Sequence, residues 1–85
     1  MEFKEQYQKL GKQIKFLREE RHLTQEKLAE RAEISLDYLG KIEVNINRQG
    51  LIALFKIVKA LDVEIKDLFD FDEKLDRHAS FAVTS

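Results

Sequence analysis

Two short helical segments in the middle of the chain, separated by a very short turn, constrain the fold more than any other feature of the sequence. Thr24 and Ser35 are residue types that favour the position just before a helix, where the side chain accepts a backbone hydrogen bond. They predict one helix from Thr24 to about Ala32 and another from Ser35 to about Glu43. Because so short a turn remains between them, the two helices are expected to pack directly on each other at a steep angle.

Small and apolar residues stand where such a pair of helices must meet. Ala29 provides the small side chain that a close crossing needs, and further apolar residues follow in the order that the packing requires: Leu28, Ala32, Ile34, Leu39 and Ile42. This order over residues 25–44 is typical of a helix-turn-helix unit. Two ordinary packed helices in an all-α domain are the alternative.

Apolar residues at helical spacing predict three further helices, at about residues 4–21, 51–61 and 64–69. The first stripe consists of Tyr7, Leu10, Ile14 and Leu17, and the second of Leu51, Leu54, Ile57, Val58 and Leu61. In the last helix, Ile65 and Leu68 are expected to point inward. Because the chain has no proline, we expect an all-α, five-helix domain over residues 1–70. An acidic tail over residues 71–85 either frays or contributes to a dimer contact.

The charge of the chain is unevenly distributed. The net charge is −1, from 15 Lys and Arg against 16 Asp and Glu. Residues 1–61 carry 12 basic and 9 acidic residues, whereas residues 62–85 carry 3 basic and 7 acidic residues. A mildly basic body with an acidic end is compatible with nucleic-acid binding through the body.

The composition argues against several other classes of protein. With no cysteine and only two histidines, the chain has neither a disulfide framework nor a recognisable metal site. No apolar run approaches the roughly 20 residues that cross a bilayer, and the polar start does not resemble a signal peptide. No Gly-rich phosphate loop or nucleophile–base spacing is present. We therefore expect a cytoplasmic protein that is not an enzyme, with no cofactor, no small-molecule ligand and no membrane contact.

The stretch TQEKLAERAEISLDYLGKIE resembles the helix-turn-helix of Cro- and lambda-repressor-like regulators, the XRE family. The segment KQIKFLREERHLTQEKLA is similar to the opening of that domain, and LIALFKIVKALDVEIKDLF to its closing helices. The resemblance covers about residues 8–69. It implies a five-helix lambda-repressor-like domain that binds double-stranded DNA, and a transcriptional regulator, such as a repressor, that acts as a homodimer.

The resemblance also implies roles for individual residues. It implies that Gln25 contacts a DNA phosphate and that the helix at about 35–43 enters the major groove, with its first residues nearest the bases. The residues at the bases would be Ser35, Leu36, Asp37 and Lys41. Those at the sugar-phosphate backbone would be Tyr38, Asn45, Asn47 and Arg48. A partly buried ion pair between Arg18 and Glu43 would tie the first helix to the end of the third.

Considered on their own chemistry, several of these residues have a second interpretation. Ser35 either bonds base edges or caps its own helix. Asp37 accepts a hydrogen bond from cytosine N4 or stabilises the helix dipole. Leu36 contacts a thymine methyl group or packs on the adjacent surface, and Lys41 contacts DNA or is simply solvated. Tyr38 donates to a phosphate or covers the core.

The sequence departs from the family at some turn and helix positions. Glu33 stands where the family usually has glycine, and a left-handed conformation there costs a residue with a side chain roughly 1 kcal/mol. Gly40 replaces a common serine, which removes one possible backbone contact. Asn45 replaces a common glycine, and Gln49 a frequent proline.

Dimerisation follows from the size of the recognition element, since one helix contacts only a few base pairs. The predicted dimer surface consists of apolar residues beyond the needs of a small core: Ile52, Phe55, Ile65, Phe69 and Phe71. The alternative is that these five residues fill the core. The second hypothesis for the whole chain is a protein-interaction module on the same fold, an antirepressor or an adaptor, which the weak basicity and Asp37 motivate.

Overall fold

The computed structural model describes residues 3–44 and 50–70 of the chain. Over these ranges the chain forms α-helices and one short 3-10 helix, without a β-strand. The elements are α1 (Lys4–Glu20), α2 (Gln25–Ala32), α3 (Leu36–Glu43), α4 (Leu51–Leu61) and the 3-10 helix (Ile65–Phe69). The predicted all-α class is confirmed.

The predicted starts of α2 and α3 are confirmed by their caps. The Thr24 hydroxyl accepts a hydrogen bond from the Lys27 backbone N–H at 3.1 Å, and the Ser35 hydroxyl accepts one from the Tyr38 N–H at 3.0 Å. Each hydroxyl satisfies a donor that has no partner within its helix. The caps therefore fix where the two short helices begin and how short the turn between them is.

The core lies where α1, α2, α3 and α4 meet, and the 3-10 helix closes it. Its fully buried large side chains are Ile14, Leu28, Leu39, Ile42, Ile57, Leu61 and Leu68. Ala29 is 3% exposed, and its carbonyl accepts a hydrogen bond from the Ile34 N–H at 3.0 Å, which closes the turn after α2. The buried positions predicted for α2 and α3 are thus occupied as expected, except that Ile34 is only half-buried.

The prediction of a fifth α-helix is wrong in type. The segment is a 3-10 helix of 5 residues that begins with reciprocal bonds between the side chains and backbones of Glu64 and Asp67. So short a segment makes too few α-helical hydrogen bonds to offset the cost of nucleation, and 3-10 geometry is common in short pieces. Leu68 is nevertheless fully buried, as expected.

Leu51 does not belong to the buried face of α4, contrary to the predicted stripe. It is 66% exposed, whereas Ala53, which the stripe omitted, is 8% exposed. At about 100° per residue, Leu51 lies roughly 90° round the helix from the centre of the buried face. The spacing of three residues between Leu51 and Leu54 was therefore not enough to place Leu51 on the buried face.

Gly11 allows α1 to approach the end of α3 more closely than any side chain would permit. A Cβ atom at Gly11 would lie 2.5 Å from the Ile42 carbonyl oxygen and 2.9 Å from the Glu43 carbonyl oxygen. The sequence pattern assigned the small-residue role to Ala29, so this second close approach was not predicted. The signal was a glycine within the apolar stripe of α1, three residues before Ile14.

The turn after α2 is strained at Glu33, as the departure from the family pattern predicted. Glu33 has φ 59° and ψ 43°, the left-handed region that disfavours a side chain.

We expect Glu33→Gly to raise the free energy of unfolding by about 1 kcal/mol, measured by urea denaturation. Glu33→Ala is the matched control, because it removes the charge but keeps the Cβ atom. An equal gain in both variants would assign the effect to charge instead of backbone strain.

Candidate nucleic-acid interface

The helices α2 and α3, together called the recognition unit here, present the first turn of α3 to solvent. Leu39 and Ile42 anchor the inner side of α3 and are fully buried. On the outer side, Leu36 is 45% exposed, and Ser35 and Asp37 are exposed as well. A helix held by one apolar side, with its first turn free, has the form that a DNA major groove accommodates.

Asp37 and Lys41 form an ion pair along the outer side of α3. The Lys41 ammonium lies 3.1 Å from an Asp37 carboxylate oxygen, with the two residues one helical turn apart. Side chains this exposed gain little from such a pair, about 0.3–0.5 kcal/mol for this spacing. The pair therefore opens at low cost, but while closed it cancels the charge that α3 presents outward.

A buried ion pair ties α1 to the end of α3. The Arg18 Nε donates to one Glu43 carboxylate oxygen at 2.8 Å, and the Arg18 Nη2 donates to the other at 3.2 Å. The Arg18 Nη1 also donates to the Leu23 carbonyl at 2.7 Å. The side chains of Arg18 and Glu43 are 9% and 1% exposed. The ion pair implied by the family resemblance is thus present, and it fixes where α3 ends relative to α1.

Gln25, the first residue of α2, belongs to the same network. Its side-chain Nε2 donates to a Glu43 carboxylate oxygen at 2.9 Å, and the residue is half-buried. The carboxylate therefore accepts hydrogen bonds from residues of α1 and α2 while it belongs to α3. The network holds the start of α2 beside the end of α3.

The other residues expected to contact DNA differ in how far the structure exposes them. Ser35 caps its own helix, while its side chain stays at the surface. Tyr38 is half-buried and packs against the core, so it covers the core with part of its ring. Asn45, Asn47 and Arg48 lie outside the described residues.

The predicted dimer surface needs one correction. Ile52, Phe55 and Phe69 are exposed by 72%, 54% and 49%. Ile65 is half-buried and packs against the core, so it does not belong to an exposed apolar surface. It begins a short 3-10 helix whose inner side covers the core. Phe71 lies outside the described residues. Four further exposed apolar side chains were not predicted: Phe3, Phe16, Val44 and Leu51.

Two kinds of feature are absent from residues 3–44 and 50–70. These residues contain no group of His, Cys, Asp and Glu that could hold a metal ion. Over the same residues, none of the helices has both the length and the apolar character of a membrane span.

Comparison with known proteins places the chain in a family. The family model described as "Helix-turn-helix" matches residues 14–68. An immunity repressor protein of Bacillus phage phi105 is 39% identical over 56 residues, which cover 66% of this chain. The match covers 39% of the length of that repressor.

Solved structures agree with this placement. The restriction-modification controller protein C.AhdI from Aeromonas hydrophila has a TM-score of 0.74 and 31% identity, with 75% of this chain and 97% of that chain covered. A complex of the SinR and SinI proteins gives a TM-score of 0.68 and 33% identity, covering 89% and 82%. The clp gene regulator ClgR from C. glutamicum shares the fold. It has a TM-score of 0.70 and 22% identity, with 91% of this chain and 94% of that chain covered. The chain belongs to the helix-turn-helix family of Cro- and lambda-repressor type, the XRE family of DNA-binding transcriptional regulators.

Proposed function

We propose that the chain is a sequence-specific regulator that binds double-stranded DNA as a dimer, with α3 in the major groove. The observation that carries this proposal is the exposed first turn of α3 on a helix whose other side is anchored in the core. An α-helix fits the major groove of B-DNA, where each base pair presents a distinct pattern of donors and acceptors. On this proposal, residues 1–70 form the DNA-binding domain.

The chemistry of the first turn suggests which bases it contacts. Leu36 fits the methyl group of thymine, Asp37 accepts from cytosine N4, and Lys41 donates to guanine O6 and N7. Ser35 bonds a base edge or remains a cap. Contacts to the sugar-phosphate backbone of the DNA are assigned to Gln25 and Tyr38 and to the loop residues Asn45, Asn47 and Arg48.

The dimer is proposed from the exposed apolar residues. Ile52 and Phe55 are one helical turn apart on α4, and Phe69 ends the 3-10 helix. Apolar side chains this exposed are stabilised when a partner covers them. Light scattering is expected to give twice the mass of one chain, and Ile52→Ser with Phe55→Ser is expected to shift that mass toward the monomer. A monomeric mass for the unmodified chain would contradict the proposed dimer.

A binding assay separates this proposal from the second candidate, a protein-interaction module. The cancelled charge of Asp37 and Lys41 favours that candidate. We expect a fluorescent duplex of random sequence to bind at low salt and to dissociate as salt rises, because such binding releases counterions from DNA. No binding even at low salt would favour the interaction module.

Replacing Lys41 and replacing Asp37 are expected to change the affinity for DNA in opposite directions. Lys41→Ala is expected to weaken binding to the random duplex and, if Lys41 meets a phosphate, to lower the salt slope by about 1. Asp37→Ala is expected to strengthen it, because a carboxylate that repels phosphate is removed and Lys41 is released. Fluorescence anisotropy at several salt concentrations measures both effects. Unchanged affinity and an unchanged salt slope in both variants would remove the pair from the interface.

A further inference from the structure

A cleft beside the recognition unit contains two lysines to which the proposed function assigns no role. The cleft has a volume of about 340 Å³, and its lining consists of Gln8, Lys12, Lys15, Gln25, Glu43 and Val44. It is thus formed by one side of α1, the first residue of α2 and the end of α3. The close approach at Gly11 brings α1 to the end of α3.

The two lysines have no ion-pair partner in the part of the chain that the structure describes. Lys12 and Lys15 are exposed and lie three residues apart on α1, so they share one side of the helix. Within residues 3–44 and 50–70, neither ammonium group has a hydrogen bond or an ion pair. By contrast, Lys41 on α3 is held 3.1 Å from Asp37. The cleft therefore presents unpaired positive charge next to the recognition unit.

The acidic residue in the cleft does not offset this charge. The Glu43 side chain is 1% exposed and bonded to the Arg18 guanidinium at 2.8 Å. It also accepts from the Gln25 amide at 2.9 Å, which holds Gln25 in the wall of the cleft. Because Arg18 neutralises Glu43, an anion that enters the cleft meets two ammonium groups and little opposing field.

We propose that this cleft binds a backbone phosphate of the same duplex whose major groove receives α3, with Lys12 and Lys15 as the cationic contacts. The inference rests on the proposed DNA binding and extends it to a site on α1. Phosphate contacts supply nearly all of the affinity for DNA of random sequence. Since the charge of α3 is internally paired, Lys12 and Lys15 contribute more of that affinity than Lys41 does.

The test compares two double variants of the full chain that lose the same charge. The variant Lys12→Gln with Lys15→Gln changes the cleft, and the variant Lys56→Gln with Lys59→Gln changes exposed lysines of α4. A fluorescein-labelled duplex of random sequence is titrated at several salt concentrations, and thermal melting and light scattering check that folding and association are unaltered. All the replaced side chains are exposed, so both variants are expected to fold.

For the cleft variant, we expect the negative slope of log K against log salt to become shallower by about 1–2. Each phosphate that the protein neutralises accounts for about 0.9 of the magnitude of that slope. Its affinity at low salt is expected to drop at least tenfold, with the α4 variant close to the unmodified chain. Equal slopes in both variants, with the unmodified chain binding normally, would overturn the cleft proposal alone. No binding by the unmodified chain at low salt would overturn the proposed function, and the cleft proposal with it.

Discussion

Replacing Glu43 with alanine is expected to lower the free energy of unfolding by about 3–5 kcal/mol, because Arg18 would remain buried without its partner. The Glu43 side chain is 1% exposed and accepts hydrogen bonds from both Arg18 and Gln25. Without the carboxylate, Arg18 keeps its bond to the Leu23 carbonyl and the more distant, exposed Glu19 carboxylate, but it loses its buried counter-charge. Urea denaturation measures the loss directly.

Glu19 provides the matched control for that prediction. It also approaches the Arg18 guanidinium, at 3.9 Å, but its side chain is 59% exposed. Glu19→Ala is expected to cost less than about 1 kcal/mol, as for other exposed ion pairs. The double variant Arg18→Met with Glu43→Leu is expected to recover most of the stability, because it leaves no buried charge. A small loss for Glu43→Ala would mean that the network does not hold α1 to α3.

Gly11→Ala is expected to lower the free energy of unfolding by about 1–3 kcal/mol, although alanine is the better helix former. The added Cβ atom would lie 2.5 Å from the Ile42 carbonyl oxygen. Because that atom belongs to the backbone, no side-chain rotation relieves the clash, and α1 must move away from α3. Thermal or urea denaturation measures the change.

Gly40→Ala makes the same substitution in a helix where there is room for it. Among the described residues, no atom beyond its chain neighbours and the backbone of its own helix lies within 4 Å of a Cβ atom at Gly40. There the helix propensity acts alone, and we expect a gain of about 0.8–1.0 kcal/mol. Equal gains at Gly11 and Gly40 would show that α1 and α3 do not approach as closely as described.

The features that the sequence predicted correctly are those encoded over a few residues. The hydroxyls of Thr24 and Ser35 cap helices through bonds to N–H groups three residues away, so a local pattern suffices to find them. The buried positions of α2 and α3 likewise follow from helical periodicity. The positive φ of Glu33 was implied by the glycine that the family has at this turn.

The features that were missed depend on how distant segments meet. The role of Gly11 is set by the end of α3, some 30 residues later, and periodicity in α1 does not show what will pack there. The exposure of Leu51 depends on where α4 contacts its neighbours. For the same reason Lys12 and Lys15 looked like ordinary surface lysines until the packing placed them beside Gln25.

The most direct test of the central claim is an NMR titration of the 15N-labelled chain with a duplex selected from a random DNA pool. We expect the largest shift changes in the first turn of α3, in residues 35–41 and at Gln25, with smaller ones on the cleft side of α1. Shift changes confined to α4 and the 3-10 helix, with residues 35–41 unperturbed at saturation, would contradict the claim that α3 is the element that binds DNA.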